Sequence, residues 1–336
     1  MATERINNLN SALMAMSALL AFIAPFEVFL LAYVVLGPLH YLTEISWLYD
    51  RNCFLARKRE AVPLILLLVV LLLAGGTNWP SERKNEIVTL VNYAAFVGAA
   101  MMIAAGTRAA KLVAGPVIVV SFLVVWDSEP CAILFGLLLP TVIHVFIFTG
   151  AFILLSALRG RSKSGIASMA IFILCAMSFF CVPMPQVHTI SSYVRAAYAP
   201  FERLNWILMS ALSPVAANSA ASNDPLCQSA QGLAVMRFIA FAYLYHYLNW
   251  FSKTSIIKWN RISYPRAAVV TFLWMASLWV YAHNGPTGAV LLASLSYAHG
   301  FLEMPLDHLT FLRIGREVRA LVAERSVGAA DLANLP

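Results

Sequence analysis

Ala61–Ala74 reads AVPLILLLVVLLLA and Ala267–Ala282 reads AAVVTFLWMASLWVYA. Neither stretch holds a charged side chain, and neither has the polar face that a helix of a water-covered domain needs. The hydrocarbon core of a bilayer is about 30 Å thick and takes ~20 helical residues to cross, so each run approaches one span. Similar runs recur along the whole chain of 336 residues, 61% of which are hydrophobic and 12% charged. Mean hydropathy is +0.77. A soluble domain carries about 25% charged residues, so this chain lacks the polar material for a water-facing surface. The ten-residue alternation of a membrane β-barrel is absent. The composition therefore gives an all-α, polytopic transmembrane helical bundle.

Working outward from those runs, the expected spans are 25–49, 61–76, 87–105, 110–126, 130–157, 165–182, 232–252, 266–283 and 286–305, about nine in all. Pro25 and Glu27 suit the first turn of a helix, so the first span starts there and residues 1–24 are read as an N-terminal interfacial helix. The bundle then covers 25–305, with a long outer loop at 183–231, and 306–336 forms a charged cytoplasmic tail. Within the loop, Ser192–Leu212 forms an amphipathic helix that either lies on the membrane surface or covers a lateral opening.

Basic residues sort into alternate loops: Arg51, Arg57, Lys58 and Arg59; Arg108 and Lys111; Arg159, Arg161 and Lys163; Lys253, Lys258, Arg261 and Arg266. The positive-inside bias then puts the N-terminus outside and the C-terminus in the cytoplasm. It also accounts for the net charge of +7. No nucleic-acid-binding motif is present, and the partners expected are the lipid bilayer and a lipophilic small molecule. The five cysteines show no metal-finger spacing, although Cys131, Cys181 and Cys227 share the outer side, where one disulfide could form.

Ionisable groups within a membrane are functional hypotheses by default. His40, His144, His246 and His299 lie 15, 14, 14 and 13 residues from Pro25, Pro130, Gly232 and Pro286, the outer ends of four spans that run in the same direction. At 1.5 Å per residue all four fall about 20–22 Å deep, in one plane. Glu44 follows His40, and Glu303 follows His299, by four residues, which puts each pair on one helix face. Imidazole with carboxylate is a ligand set for non-haem iron, manganese or zinc. The expected metal ligands are thus His40, His144, His246, His299, Glu44 and Glu303. Tyr41, Tyr243, Tyr247 and Trp250 flank them as candidate substrate-binding residues. Asp307 and His308 follow Pro305 and read as the cap of a further helix. Arg237 reads as a snorkelling cation near the outer surface.

The segment Gly37-Pro-Leu-His-Tyr-Leu-Thr-Glu44 resembles the Gly-x-Pro-His-Gly-x-x-Asp pattern of the bacterial carotene-cleaving oxygenase family (Brp/Blh type), and His299-Gly-Phe-Leu-Glu303 is similar to its core. The likeness covers some fifteen residues, with Glu in place of Asp and Leu39 between Pro38 and His40. It implies an iron-dependent (Fe2+) membrane dioxygenase, an oxidoreductase of the bacterial inner membrane that acts on a carotenoid or another lipid. The histidine boxes of membrane desaturases do not occur. Two other readings suit the same residues: a haem- or quinone-binding electron-transfer protein, and a proton-coupled transporter or non-enzymatic membrane subunit.

Overall fold

The computed structural model describes residues 2–104, 108–125, 128–182, 190–212 and 229–333, and every regular element among them is helical. The helices are α1 (Ala2–Ile23), α2 (Pro25–Asp50), α3 (Val62–Gly75), α4 (Ser81–Ala104), α5 (Arg108–Val125), α6 (Glu129–Gly160) and α7 (Lys163–Cys181). They continue with α8 (Ser192–Tyr198), α9 (Glu202–Leu212), α10 (Ala230–Ser252), α11 (Tyr264–His283) and α12 (Gly285–Ala333). Among the described residues, six helices are long and apolar enough to cross a membrane: α1, α2, α4, α6, α7 and the Gly285–Glu324 part of α12.

The distribution of side chains is that of a lipid-embedded bundle. Leu73, Leu123, Leu174 and Phe272 are about two-thirds exposed, whereas Asn92, Thr149, Ser168 and Asn205 are buried. Apolar groups face outward because lipid, unlike water, does not penalise them, and polar groups turn inward to find partners. α10 is buried along most of its length: nearly every residue from Gly232 to Trp250 is buried. With α2, α6 and α12 it closes a ring of four in which α2 and α6 each pack on both α10 and α12.

Local sequence explains the entry and exit of these helices. α2 starts on Pro25 and α11 has Pro265 in its first turn, where the missing N–H is no loss. Ser229 caps α10 by accepting the Gly232 N–H at 2.9 Å. Arg161 turns the chain from α6 into α7 in the left-handed region, at φ 44°. Both α2 and α6 contain π-helical stretches, Leu31–Leu36 and Leu134–Phe148, the second with Pro140 inside it. Such wide turns shift the side chains that follow around the helix and are frequent at functional sites.

Several expectations change. Residues 1–24 are not a short interfacial element: α1 is a 22-residue helix packed along α7 and α10. The polar residues that gave it an interfacial look are satisfied inside the bundle. Asn7 donates to Ser164 at 3.0 Å, Ser11 meets Ser168 at 2.9 Å, and Asn10 accepts from Ser252 at 2.9 Å. The start of α1 therefore lies at the same end of the bundle as the basic turn Arg159–Lys163, not at the opposite end. At the other terminus, α12 runs through Pro305 as one helix of 49 residues, so the expected boundary at 306 is absent. Asp307 does not cap anything; it is buried in mid-helix. Arg237 is buried rather than snorkelling, with its guanidinium 5.6 Å from the Phe22 ring centre. Cys131 and Cys181 are free thiols, while Cys227 and the loop segments 183–189 and 213–228 lie outside the described residues.

Candidate metal centre

The ring of four helices brings the four membrane histidines together. Centroid distances run 4.8 Å from His40 to His246, 5.2 Å to His144, 4.8 Å to His299 and 5.2 Å back to His40. The order of the rings repeats the order of helix packing, so each imidazole sits between its two neighbours. All four are buried.

The nitrogens converge more tightly than the rings. Nε2 of His144 and His299 are 2.9 Å apart, and those of His246 and His40 3.1 Å. Two ligands at about 2.1 Å from one metal, at right angles, stand ~3.0 Å apart, so both spacings are those of neighbouring ligand atoms. They also match a hydrogen bond between neutral imidazoles, so the distance alone does not separate the two. The carboxylates add to the case. Glu44 Oε2 lies 3.1 Å from His40 Nε2, and Glu303 Oε2 3.6 Å from His144 Nε2, yet neither oxygen has an aligned hydrogen-bond donor. Two overlapping sets, His40 with His246 and His299, and His144 with His299 and Glu303, have their ligand atoms all within 4.8 Å and could hold a metal ion.

Each imidazole is held in place by its surroundings. Thr149 Oγ1 meets His246 Nδ1 at 2.8 Å; when Nδ1 carries the proton, the Nε2 lone pair faces the centre. Tyr41 stacks on His299 at 4.3 Å and 22°, and its hydroxyl meets that of Tyr247 at 2.6 Å. Trp250 stands edge-on to His40 at 5.5 Å and donates its indole N–H to Thr43 at 3.0 Å. Tyr41, Tyr247 and Trp250, expected to touch substrate, thus pack around the histidines instead. Tyr243 alone of the four lines a cavity.

That cavity has a volume of about 390 Å³ and reaches His144 at its inner end. Its wall includes Tyr33, Leu137, Ile239 and Ala293, which precede His40, His144, His246 and His299 by seven, seven, seven and six residues. These near-equal offsets on a shared wall fit four helices that run in parallel past the centre. Tyr198, Phe201, Arg203 and Leu204, from the α8–α9 segment, form another part of the wall. The amphipathic stretch therefore lies against a cavity opening, and Arg203 is tied to α4 by a 3.0 Å bond to Asn85 Oδ1.

Sequence reasoning missed three residues. Thr149 supports His246, and nothing in its one-dimensional surroundings marks it. Asn92 lines the cavity with an unpartnered Oδ1. Asp307 stands one turn beyond Glu303, close enough to interact electrostatically with Glu303 and Glu44. The four-residue spacing His299, Glu303, Asp307 would have revealed it had Pro305 not suggested a helix end. Compared with known protein families, with functionally characterised proteins and with solved structures, the chain shows no significant match.

Proposed function

We propose that this chain is an integral membrane metalloenzyme, an iron-dependent oxygenase that acts on a lipophilic substrate such as a carotenoid. The observation that carries the proposal is the convergence of four buried imidazoles, with carboxylates beside them, at the inner end of an apolar cavity. The donor set fits iron: His40, His144, His246 and His299 would hold it, and the unaligned Glu44 and Glu303 oxygens supply further ligand atoms. Iron bound with open positions supplies activation of O₂ for attack on an alkene or C–H bond.

The protein's own residues do the rest. Thr149 and Tyr41 fix ring orientation at His246 and His299. Leu137, Phe148, Phe201 and Phe301 wall the cavity and exclude water, which would quench reactive oxygen species. A volume of about 390 Å³ takes one segment of a long chain, with the remainder extending past α9 toward the lipid. Cleavage of one carbon–carbon double bond by one O₂ gives two carbonyl groups and needs no external reductant. The resemblance of Gly37–Glu44 to the carotene-cleaving oxygenases favours a polyene and a bacterial inner membrane.

The haem alternative is less well supported. Axial ligation sets two nitrogens about 4 Å apart across a planar macrocycle. Here neighbouring Nε2 atoms are 2.9 and 3.1 Å apart, closer than axial ligation across a macrocycle sets them. For topology, we propose that α1–α7 and α10–α12 all cross, with the basic turns and both termini on the cytoplasmic side.

Purified protein tests the proposal directly. Metal analysis should find iron, the visible spectrum should lack a Soret band, and β-carotene incubated with the protein under O₂ should be converted to shorter carbonyl products. A protein free of metal after anaerobic Fe(II) loading would refute it, and a Soret band would transfer the case to haem.

A further inference from the structure

The four histidines and the carboxylates beside them divide into two sets of like composition. His40 and His246 meet at 3.1 Å through their Nε2 atoms, with Glu44 Oε2 3.1 Å from His40. His144 and His299 meet at 2.9 Å, with Glu303 Oε2 3.6 Å from His144. Each set is two imidazoles with a carboxylate beside one of them, the donor types of a non-haem iron site; the groups whose ligand atoms all lie within 4.8 Å are His40, His246 and His299, and His144, His299 and Glu303. The sets adjoin rather than stand apart. His299 shares ligand-atom proximity with both, and Glu44 and Glu303 are close enough to interact with each other. α2 and α12, the helices that carry the two His-x-x-x-Glu pairs, pack directly on one another.

Buried charge is a further constraint on the centre. Glu44, Glu303 and Asp307 are 2%, 4% and 1% exposed, and both oxygens of Asp307 lack any partner. Among the described residues, no lysine or arginine pairs with any of the three. Buried carboxylates require a counter-charge or a proton, because an uncompensated buried charge is strongly unfavourable. With three ionised carboxylates and neutral histidines, one divalent ion leaves a net charge of about −1 and two leave about +1, which a hydroxide bound between the two ions would neutralise. Paired metals characteristically lie about 3.5–4 Å apart and share carboxylates, which is the arrangement that Glu44 and Glu303 are placed to make.

We propose that the centre takes two divalent metal ions, one at His40, His246 and Glu44 and the other at His144, His299 and Glu303, with Asp307 as the carboxylate that completes its charge. This rests on the metal-binding reading of the site but makes a separate claim about stoichiometry. The test is the metal content of the full chain in detergent after anaerobic loading with Fe(II) and, separately, with Mn(II). Two ions per chain are expected, with an exchange-coupled Mn(II) electron paramagnetic resonance signal in place of the six-line pattern of an isolated ion. Asp307→Asn and Glu44→Gln should each lower the content from two toward one. One ion per chain in the unaltered protein, with an isolated six-line signal, would overturn the paired centre while leaving the metalloenzyme reading intact. No bound metal would overturn both. The wild-type stoichiometry decides the question even if either variant fails to fold.

Discussion

Replacing Thr149 by valine tests whether the histidines are held as ligands or merely packed. Valine matches threonine in shape, and Thr149 is 1% exposed, so the substitution removes a hydroxyl without opening a large void. The 2.8 Å contact to His246 Nδ1 is lost, and no other hydrogen-bond partner of that nitrogen is present among the described residues. A buried N–H left without an acceptor costs about 1–3 kcal/mol. If that proton is what keeps Nε2 free to bind metal, the same energy is taken from metal binding. Supporting hydrogen bonds of this kind are worth roughly 10–100-fold in affinity, or about 1.4–2.8 kcal/mol. The two figures agree, and the expected outcome is a 10–100-fold weaker affinity for Co(II) in competition with a chelator. Thr141→Val on the same helix is the control: its hydroxyl donates to the Leu137 carbonyl at 2.5 Å and touches no histidine. That variant should keep wild-type affinity. Equal affinity in Thr149→Val and wild type, or equal losses in both variants, would refute the reasoning.

Ala293→Phe places a phenyl group on the cavity wall and should abolish substrate conversion or raise KM by at least about tenfold, with metal content unchanged. Gly288→Ala would put a Cβ 2.4 Å from the Tyr281 Cα between α11 and α12, and should lower stability by about 1–3 kcal/mol, read as a fall in Tm. Stripping the metal with a chelator should also lower Tm, since a ligand at 1,000 times its Kd stabilises by about 4 kcal/mol; an unchanged Tm would argue against a resident ion. In a cysteine-free background, Glu4→Cys should react with membrane-impermeant thiol reagents from the cytoplasmic side and Tyr193→Cys, at a position 73% exposed, from the opposite side.

How far the sequence could be read depended on which interactions are local. Helix content and membrane class follow from composition, which depends on no fold. The common plane of His40, His144, His246 and His299 was legible because prolines or glycine mark the outer ends of their helices, and residue number then measures depth. The Glu44 and Glu303 positions were legible because four residues bring a side chain back to the same face. Asp307 obeys the same rule, but proline usually ends a helix, and only the packing of α12 against α2, α4 and α6 carries the helix past Pro305. α1 was misread for the converse reason: Asn7, Asn10 and Ser11 look like surface residues until their partners Ser164, Ser252 and Ser168, all more than 150 positions away, are known. Thr149 is reached only across an interhelical contact, 97 positions from His246.

The parallel course of the four histidine helices gives the centre two unlike sides, and the order of residues along each helix decides which is which. Positions before the histidines, such as Tyr33, Leu137, Ile239 and Ala293, line the apolar cavity. Positions after them on α2 and α12 supply Glu44, Glu303 and Asp307, which are buried against one another. On α6 and α12 the cavity wall also continues past the histidines, through Phe148, Phe301 and Met304, so the carboxylate layer borders the cavity there. Charge compensation falls to the layer of Glu44, Glu303 and Asp307. The cavity side can then exclude water without depriving the carboxylates of the counter-charge they need. A centre built on antiparallel helices would mix the two environments, since each helix would present its acid where its neighbour presents the cavity.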